Sequence, residues 1–329
     1  MAAHDVCIDI GRMPILVHTD STEFAQLLED RYGSFVAGVR PSADPSSAGA
    51  SLDDDKGRPY HPGRAQDRRP VFQLQVELVP PGSVSDAEEA RVRVEGGRWV
   101  MERGDFRAEW DPKRRRGWVR QSPNPYSIDS VLRILHSLVL AREGGFLLHA
   151  ASAIRNGWAF LFAGASGTGK TTICRLAPPD VVLLTDEISY VRPWEQGTGN
   201  REQVIGNSGA QGLGDGGQGI LPSLFPVPYS VFPAYEAFGT PFAGELARLG
   251  ENLQAPVAAL YLLAQGEGNR FEAVGQAEAA RALLQNILFF AQDEELVRLV
   301  SQSAFDFVSR VPVRRLIFAP EARAWELIV

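Results

Sequence analysis

The chain has 329 residues, of which 44% are hydrophobic, and its formal net charge is −7 at pH 7. This length suits two modest domains or one large domain with insertions, and the apolar content is ordinary for a globular protein. The acidic balance argues against nonspecific binding to nucleic acid or to an anionic membrane surface. The two cysteines, Cys7 and Cys174, are too far apart in sequence to indicate a disulfide framework or a zinc site.

Targeting signals and basic segments bear on where the protein is located and what it binds. The N-terminus lacks a basic region followed by a long apolar region, and no apolar run approaches the length that crosses a bilayer. The one concentrated basic run, residues 113–116, lies between two strand-like segments and predicts a solvated hairpin turn. We therefore expect a cytoplasmic protein with neither a membrane nor a nucleic-acid partner.

The first 126 residues predict a β-rich domain of consecutive hairpins with one helix. Ser21 has the features of an N-cap for a helix over 21–32. Residues 41–69 contain almost no apolar side chains and predict a disordered surface loop. No motif here carries recognisable chemistry, so recognition or assembly is the expected role. Alternation of apolar and polar residues predicts strands over 6–10, 15–17, 71–79, 90–94, 98–102, 106–110 and 117–119.

Residues 127–329 predict a second domain of the α/β class. A helix over 127–142, capped by Ser127 or Asp129, joins the two domains. The glycine-rich segment 197–219 predicts a lid or acceptor-docking loop. The apolar stripe of the helix over 293–309 predicts core packing for Val297 and Phe305. Further strands are predicted over 146–154, 158–163, 181–184, 188–191, 257–263 and 313–318, and a further helix over 277–290.

The strongest functional signal is the stretch 164–172, which fits the phosphate-binding loop (P-loop) pattern of Gly, four free positions and Gly-Lys-Thr. Glycines let backbone N–H groups surround a phosphate chain, Lys170 would reach the terminal phosphates, and the Thr171 hydroxyl would help to hold Mg²⁺. The chain has three lysines and thirty arginines, which together make the 33 basic residues, so a lysine at this position stands out. The predicted ATP-binding residues are Gly164, Ala165, Ser166, Gly167, Thr168, Gly169, Lys170, Thr171 and Thr172.

Two adjacent acidic residues, Asp186 and Glu187, follow a short apolar run. If that strand lies beside the loop strand, both carboxylates end level with the phosphates. One could then hold Mg²⁺ while the other accepts a proton from an attacking hydroxyl, and the alternative is a simple acidic turn. His149 lies within an apolar strand, where a hydrogen-bonded core histidine is the usual interpretation.

The order Leu-His-Ala-Ala-Ser at 148–152, the loop at 164–172 and Thr-Asp-Glu at 185–187 resembles the catalytic domain of HPr kinase/phosphorylase, and more closely the uncharacterised kinase-like proteins related to it. The loop is also similar to that of ATP-dependent phosphoenolpyruvate carboxykinase, which shares this nucleotide-binding fold. The resemblance covers residues 145–327. It implies a P-loop nucleotide-binding domain of the HPr kinase/PEP carboxykinase type, with a smaller β-rich N-terminal domain.

Site roles follow from the resemblance position by position. It implies catalytic roles for His149, Lys170 and Asp186, with Asp186 as the base that activates a serine hydroxyl, and metal contacts for Thr171, Asp186 and Glu187. The second signature of the HPr enzyme, an acidic residue followed by Arg-Gly and another Gly, is not recognisable. Residues 239–245 occupy a comparable region instead. The resemblance therefore carries over kinase chemistry, but neither HPr itself nor the phosphorylase reaction.

Two hypotheses of different classes remain open. The first is an ATP- and Mg²⁺-dependent kinase that transfers the γ-phosphate to a serine-type hydroxyl of a small protein or peptide. The second is a non-catalytic ATP-binding module that couples nucleotide occupancy to a partner. Carboxykinase activity is a weaker third, because the chain is short for it and shows no second metal site. The sequence leaves open whether the protein forms a homo-oligomer.

Overall fold

The computed structural model describes residues 3–37, 72–81, 84, 89–194, 233–246 and 250–328. The loop predicted over 41–69 and the segment predicted as a lid over 197–219 lie outside these residues. None of the described helices combines the length and the apolar character needed to cross a membrane.

The N-terminal part forms one mixed sheet with a helix, α1 (Thr22–Tyr32), packed against it. The sheet order is β3-β1-β2-β4-β8-β7-β6-β5. Its eight strands are β1 (His4–Ile10), β2 (Met13–Thr19), β3 (Val36–Ala37), β4 (Phe72–Leu78), β5 (Arg91–Glu95), β6 (Arg98–Arg103), β7 (Phe106–Asp111) and β8 (Arg116–Gln121).

The local predictions for this sheet are confirmed, but its predicted topology is only partly right. The Ser21 hydroxyl caps α1 by accepting a hydrogen bond from Phe24 N, as its position predicts. Strands β5 to β8 form consecutive hairpins, and residues 113–115 of the predicted turn lie in an exposed turn while Arg116 begins β8. Strand β4 is the exception, because it pairs in parallel with both β2 and β8. A parallel pair requires a long connection, which strand patterning alone does not reveal.

The C-terminal part is built on a nine-stranded sheet with the main order β10-β9-β12-β13-β14-β17-β15. Strand β14 also pairs in parallel with β10, so the five strands β10, β9, β12, β13 and β14 close into a barrel. The strands are β9 (Phe146–Arg155), β10 (Trp158–Ala163), β11 (Val182–Thr185), β12 (Ile188–Pro193), β13 (Tyr235–Phe238), β14 (Gln254–Gln265), β15 (Arg270–Ala273), β16 (Ile287–Leu288) and β17 (Val313–Phe318). The helices are α2 (Pro125–Arg142), α3 (Lys170–Arg175), α4 (Gln276–Asn286) and α5 (Glu294–Arg310).

Helix α2 connects the two sheets and packs into one apolar core with both. Its buried side chains share a cluster with residues of β1, β2 and β4 and with Leu147, Ile188 and Tyr190 of the second sheet. The helix begins earlier than predicted, because Asn124 is the N-cap and Pro125 the first helical residue. The boundary at residue 126 and the P-loop kinase fold stay predictions, while the architecture itself is β-rich and mixed.

Two expectations for the C-terminal part are wrong. Strand β11, which precedes Asp186, pairs with β9 rather than with the loop strand β10, so β9 lies between them. In α5 the side chains of Val297 and Phe305 are 44% and 55% exposed, although Leu296 and Val300 are buried. The apolar stripe of α5 is wider than the surface that covers it. Phe305 and Leu284 of α4 line one shallow surface pocket.

Candidate functional site

The predicted P-loop follows β10 directly and connects it to α3. Lys170 donates a hydrogen bond from Nζ to the carbonyl oxygen of Gly164 over 2.8 Å, so the lysine folds back over its own loop. Thr168 closes the loop by donating from Oγ1 to Ala165 O over 2.8 Å. Residues 165–167 are exposed, and the side chains of Lys170 and Thr171 are half-buried. The loop therefore presents a lysine, hydroxyl groups and backbone donors close to solvent.

Three side chains from the far end of the chain support the loop. Gln265 of β14 donates to Gly167 O over 2.6 Å, and Trp325 Nε1 donates to Ile173 O in α3 over 2.9 Å. Phe318 of β17 lies against Gly169, where an added Cβ would be 2.6 Å from the ring. Gly169 also has φ +109°, which L side chains rarely adopt. Glycine is therefore required at this position both by backbone geometry and by space.

Asp186 is buried, and both of its carboxylate oxygens already accept backbone hydrogen bonds. Oδ1 accepts from Gly244 N and Oδ2 from Leu246 N, each over 2.9 Å. The carboxylate therefore holds the segment 244–246 against the site. Burial first and the charge of Asp186 second raise the pKa of Cys174 to about 12. This raised pKa makes a reactive thiolate at Cys174 unfavourable.

Glu187 is the half-buried member of the acidic pair, and Lys170 lies within its electrostatic range. Burial raises the pKa of Glu187 above its usual value, and the neighbouring charge of Asp186 adds to that effect. The charges of Arg133 and Lys170 oppose it. Burial lowers the pKa of Lys170, and the charges of Glu187 and Glu245 oppose that shift in turn. The lysine and the glutamate thus sense each other electrostatically.

His149 lies in β9, opposite Ile188 of β12, and is half-buried. Burial lowers its pKa, and the positive charge of Lys170 lowers it further. The imidazole therefore lies within electrostatic range of the loop lysine and is neutral at pH 7. Of the predicted site residues, His149, Lys170 and Glu187 form one neighbourhood, with Asp186 directly beside Glu187 in sequence.

The segment after β13 contributes residues that the sequence did not single out as functional. The Thr171 hydroxyl donates to Glu245 Oε2 over 3.1 Å. A Cβ added to Gly244 would lie 2.7 Å from Glu187 Oε2 and 2.9 Å from Asp186 Oδ2, so this glycine permits close approach to both carboxylates. The glycine-containing stretch 239–245 was the only sequence signal for this segment, and it did not indicate which carboxylates the segment would contact.

The donor types at the loop fit a magnesium nucleotide. Mg²⁺ takes one or two protein carboxylates together with substrate phosphates and water. Thr171 offers a hydroxyl oxygen, and the acidic pair offers carboxylate oxygens next to Lys170. In the part of the chain that the structure describes, no three His, Cys, Asp or Glu side chains are placed to hold a metal ion without such a substrate.

Comparisons with known proteins do not assign a family. No protein-family model matches the chain, and no curated protein is similar to it.

Proposed function

We propose that this protein is an ATP- and Mg²⁺-dependent phosphotransferase that moves the γ-phosphoryl group to a serine-type hydroxyl of a small protein or peptide. One observation carries the proposal: the segment 244–245 joins the glycine-rich loop to the acidic pair, because the Thr171 hydroxyl donates to Glu245 Oε2 over 3.1 Å and Gly244 N donates to Asp186 Oδ1 over 2.9 Å.

In the proposed reaction the acceptor oxygen bonds to the γ-phosphorus as the bond to the β–γ bridging oxygen breaks, and ADP leaves with that oxygen. The hydroxyl proton passes to a carboxylate of the acidic pair. Lys170 would leave its loop carbonyls to bind the terminal phosphates, and Thr171 would leave Glu245. Bound Mg²⁺ would neutralise the phosphate charge that develops.

The two residues of the acidic pair have different proposed roles, one as the general base and the other as a ligand for a metal ion or a proton. The resemblance assigns the base to Asp186, and that assignment remains our prediction. Its two backbone hydrogen bonds hold the carboxylate in a fixed position, which suits a positioned base and equally suits a purely structural residue. Glu187 carries no such backbone contact among the described residues, which leaves it available to a metal ion or a proton.

The second candidate function is a non-catalytic ATP-binding module, and the same contacts of Asp186 favour it. If the only task of Asp186 is to hold the segment 244–246, nucleotide binding at the loop would reposition that segment through the contact between Thr171 and Glu245. Such a module would signal nucleotide occupancy to a partner without transferring phosphate.

Nucleotide binding is tested by Lys170→Ala, with Lys113→Ala as the matched control because Lys113 lies in an exposed turn. Lys170 makes hydrogen bonds only to its own loop among the described residues, so the variant should fold. Calorimetric titration should show Mg-ATP affinity reduced by about ten- to a hundredfold, the worth of a hydrogen bond to a charged group. Lys113→Ala should bind like the wild type.

Transfer is tested separately by incubating wild type and Lys170→Ala with γ-labelled ATP and a host lysate. The kinase hypothesis predicts label on a small protein with the wild type only. ATP binding without any labelled acceptor would favour the non-catalytic module, and unchanged ATP affinity in Lys170→Ala would contradict both.

A further inference from the structure

Arg133 of α2 is a cation that the described part of the chain leaves unpaired. Its guanidinium carbon lies 4.5 Å from the ring centroid of Phe242, stacked on the aromatic face. Its Nε is buried and has no hydrogen-bond partner. No ion pair to Arg133 forms among the described residues, and the side chain is only half-buried. The planar fork is thus held by stacking while its donors remain available.

Two other half-buried arginines of this protein are instead paired with carboxylates. Arg31 pairs with Asp129, which lies four residues before Arg133 on the same helix. Arg12 pairs with Glu236 over 3.0 Å. Burying a guanidinium donor without a partner costs free energy, because the buried N–H group loses its hydrogen bond to water. An arginine kept in that state beside a candidate site is suited to receive an anion that binds there.

The position of Phe242 indicates that Arg133 lies near the acidic pair. Phe242 is buried and lies two residues before Gly244, whose N–H donates to Asp186 and whose missing Cβ would lie 2.7 Å from Glu187 Oε2. The charge of Arg133 lowers the pKa of Glu187, as the charge of Lys170 does. Arg133 and Glu187 form no ion pair, so their influence acts across a gap. Two cations from different elements therefore flank one half-buried carboxylate.

We propose that Arg133 is a second phosphate-binding cation of the site, which contacts the terminal phosphate of ATP from the side opposite the loop. This inference rests on the proposed function and deepens it. A guanidinium fork suits a phosphate because two parallel N–H groups can contact two phosphate oxygens. Helix α2 would then supply part of the nucleotide site from outside the loop.

The alternative role for Arg133 is to neutralise Glu187, and the two roles differ in their dependence on the terminal phosphate. ADP lacks that phosphate and the β,γ-imido analogue of ATP retains it. A phosphate contact made only to the terminal group must weaken binding of the analogue and leave binding of ADP unchanged. A role confined to Glu187 has no reason to separate the two nucleotides.

The experiment is calorimetric titration of Mg-ADP and of the Mg-bound β,γ-imido analogue into wild type, Arg133→Gln and Arg133→Lys. We expect Arg133→Gln to bind the analogue about ten- to a hundredfold more weakly, with ADP affinity within about twofold. Arg133→Lys keeps the positive charge but lacks the guanidinium fork. Its affinity for the analogue should therefore lie between those of the wild type and Arg133→Gln. The control is Arg142→Gln, because Arg142 is also on α2 and also lies over an aromatic ring, that of Trp99 at 5.6 Å.

Each other result overturns a defined part of the inference. Equal affinity losses for ADP and the analogue, or no loss for either, would refute the terminal-phosphate contact while leaving the proposed function intact. A wild type that binds neither nucleotide would refute the proposed function and the role of Arg133 together. Arg133→Lys provides a second variant in case Arg133→Gln misfolds. Thermal melting of all four proteins would show directly whether any of them is misfolded.

Discussion

Two ionic clusters on helix α2 differ in how completely they are paired. In the first, the Asp129 cluster, Asp129 accepts hydrogen bonds from Arg31 and, over 2.8 Å, from the Tyr32 hydroxyl. In the second, the loop cluster of Arg133, Lys170 and Glu187, charges influence one another without ion pairs among the described residues. A cluster whose charges are all paired, which we call closed, contributes to stability. A cluster with unpaired charges, which we call open, can bind a charged ligand.

The difference also appears in the ionisation of the two clusters. Hydrogen bonding to Asp129 raises the pKa of Arg31, and burial raises the pKa of Tyr32 well above its usual value. Both groups therefore keep the same protonation state at every working pH. In the loop cluster, burial raises the pKa of Glu187 and lowers that of Lys170, so both shifts oppose the charged forms. A phosphate group near Lys170 would favour the charged form of the lysine.

The largest expected effect is on stability, from Asp129→Ala. The change leaves the Arg31 charge and the buried Tyr32 hydroxyl without their acceptor, which should lower the free energy of unfolding by about 3 to 5 kcal/mol. Chemical denaturation measures it, and Asp30→Ala is the control because Asp30 is exposed and bonded to Gln26. A loss under about 1 kcal/mol would remove the distinction between closed and open clusters.

The next effect is on transfer, from Asp186→Asn. The amide cannot accept a proton, so transfer should fall by about a hundredfold or more, equivalent to about 2.7 kcal/mol in the barrier, while ATP binding persists. Initial rates with γ-labelled ATP measure this, with Glu187→Gln in parallel. The asparagine also exchanges one of two oxygen acceptors for a donor, so a melting curve must accompany the rate.

Near wild-type transfer by Asp186→Asn would make Asp186 a structural or metal-binding residue only. The base would then be Glu187, if Glu187→Gln loses transfer, or neither residue, if both variants remain active.

A pH-dependent effect on stability concerns His136 of α2, whose Nδ1 lies 2.7 Å from the Tyr190 hydroxyl oxygen in the buried core. Burial lowers its pKa from 6.5 to about 3, so folding favours the neutral ring. The stability from this preference is fully present above about pH 6.5 and is lost as pH falls towards 3, by at most about 1.4 kcal/mol per pH unit.

Denaturation of wild type and His136→Gln at several pH values between 7 and 4 measures that loss, with His4→Gln as the control for a histidine near the surface. The free energy of unfolding of His136→Gln should fall less steeply with decreasing pH, because this variant lacks the contribution of the histidine. Parallel curves for the two proteins would mean that the core readily accommodates a charged His136.

Local patterns in the sequence determined much of the structure. Ser21 capped its helix, and the Asn156-Gly157 turn, with both residues at positive φ, joined β9 and β10 into the predicted hairpin. These features depend on neighbours within a few residues, where side-chain chemistry and backbone geometry are directly linked. The loop 164–172 was found for the same reason, because its chemistry is contiguous.

Only the tertiary structure decided which distant residues meet at the loop. Periodicity assigns Arg133 to the more polar face of helix α2 but cannot say that this face contacts Phe242 beside the acidic pair. The placement of β9 between β10 and β11, and the exposure of Phe305, depend likewise on how elements pack. Strand order and surface coverage arise from contacts over long sequence separations, which a short window of sequence does not encode.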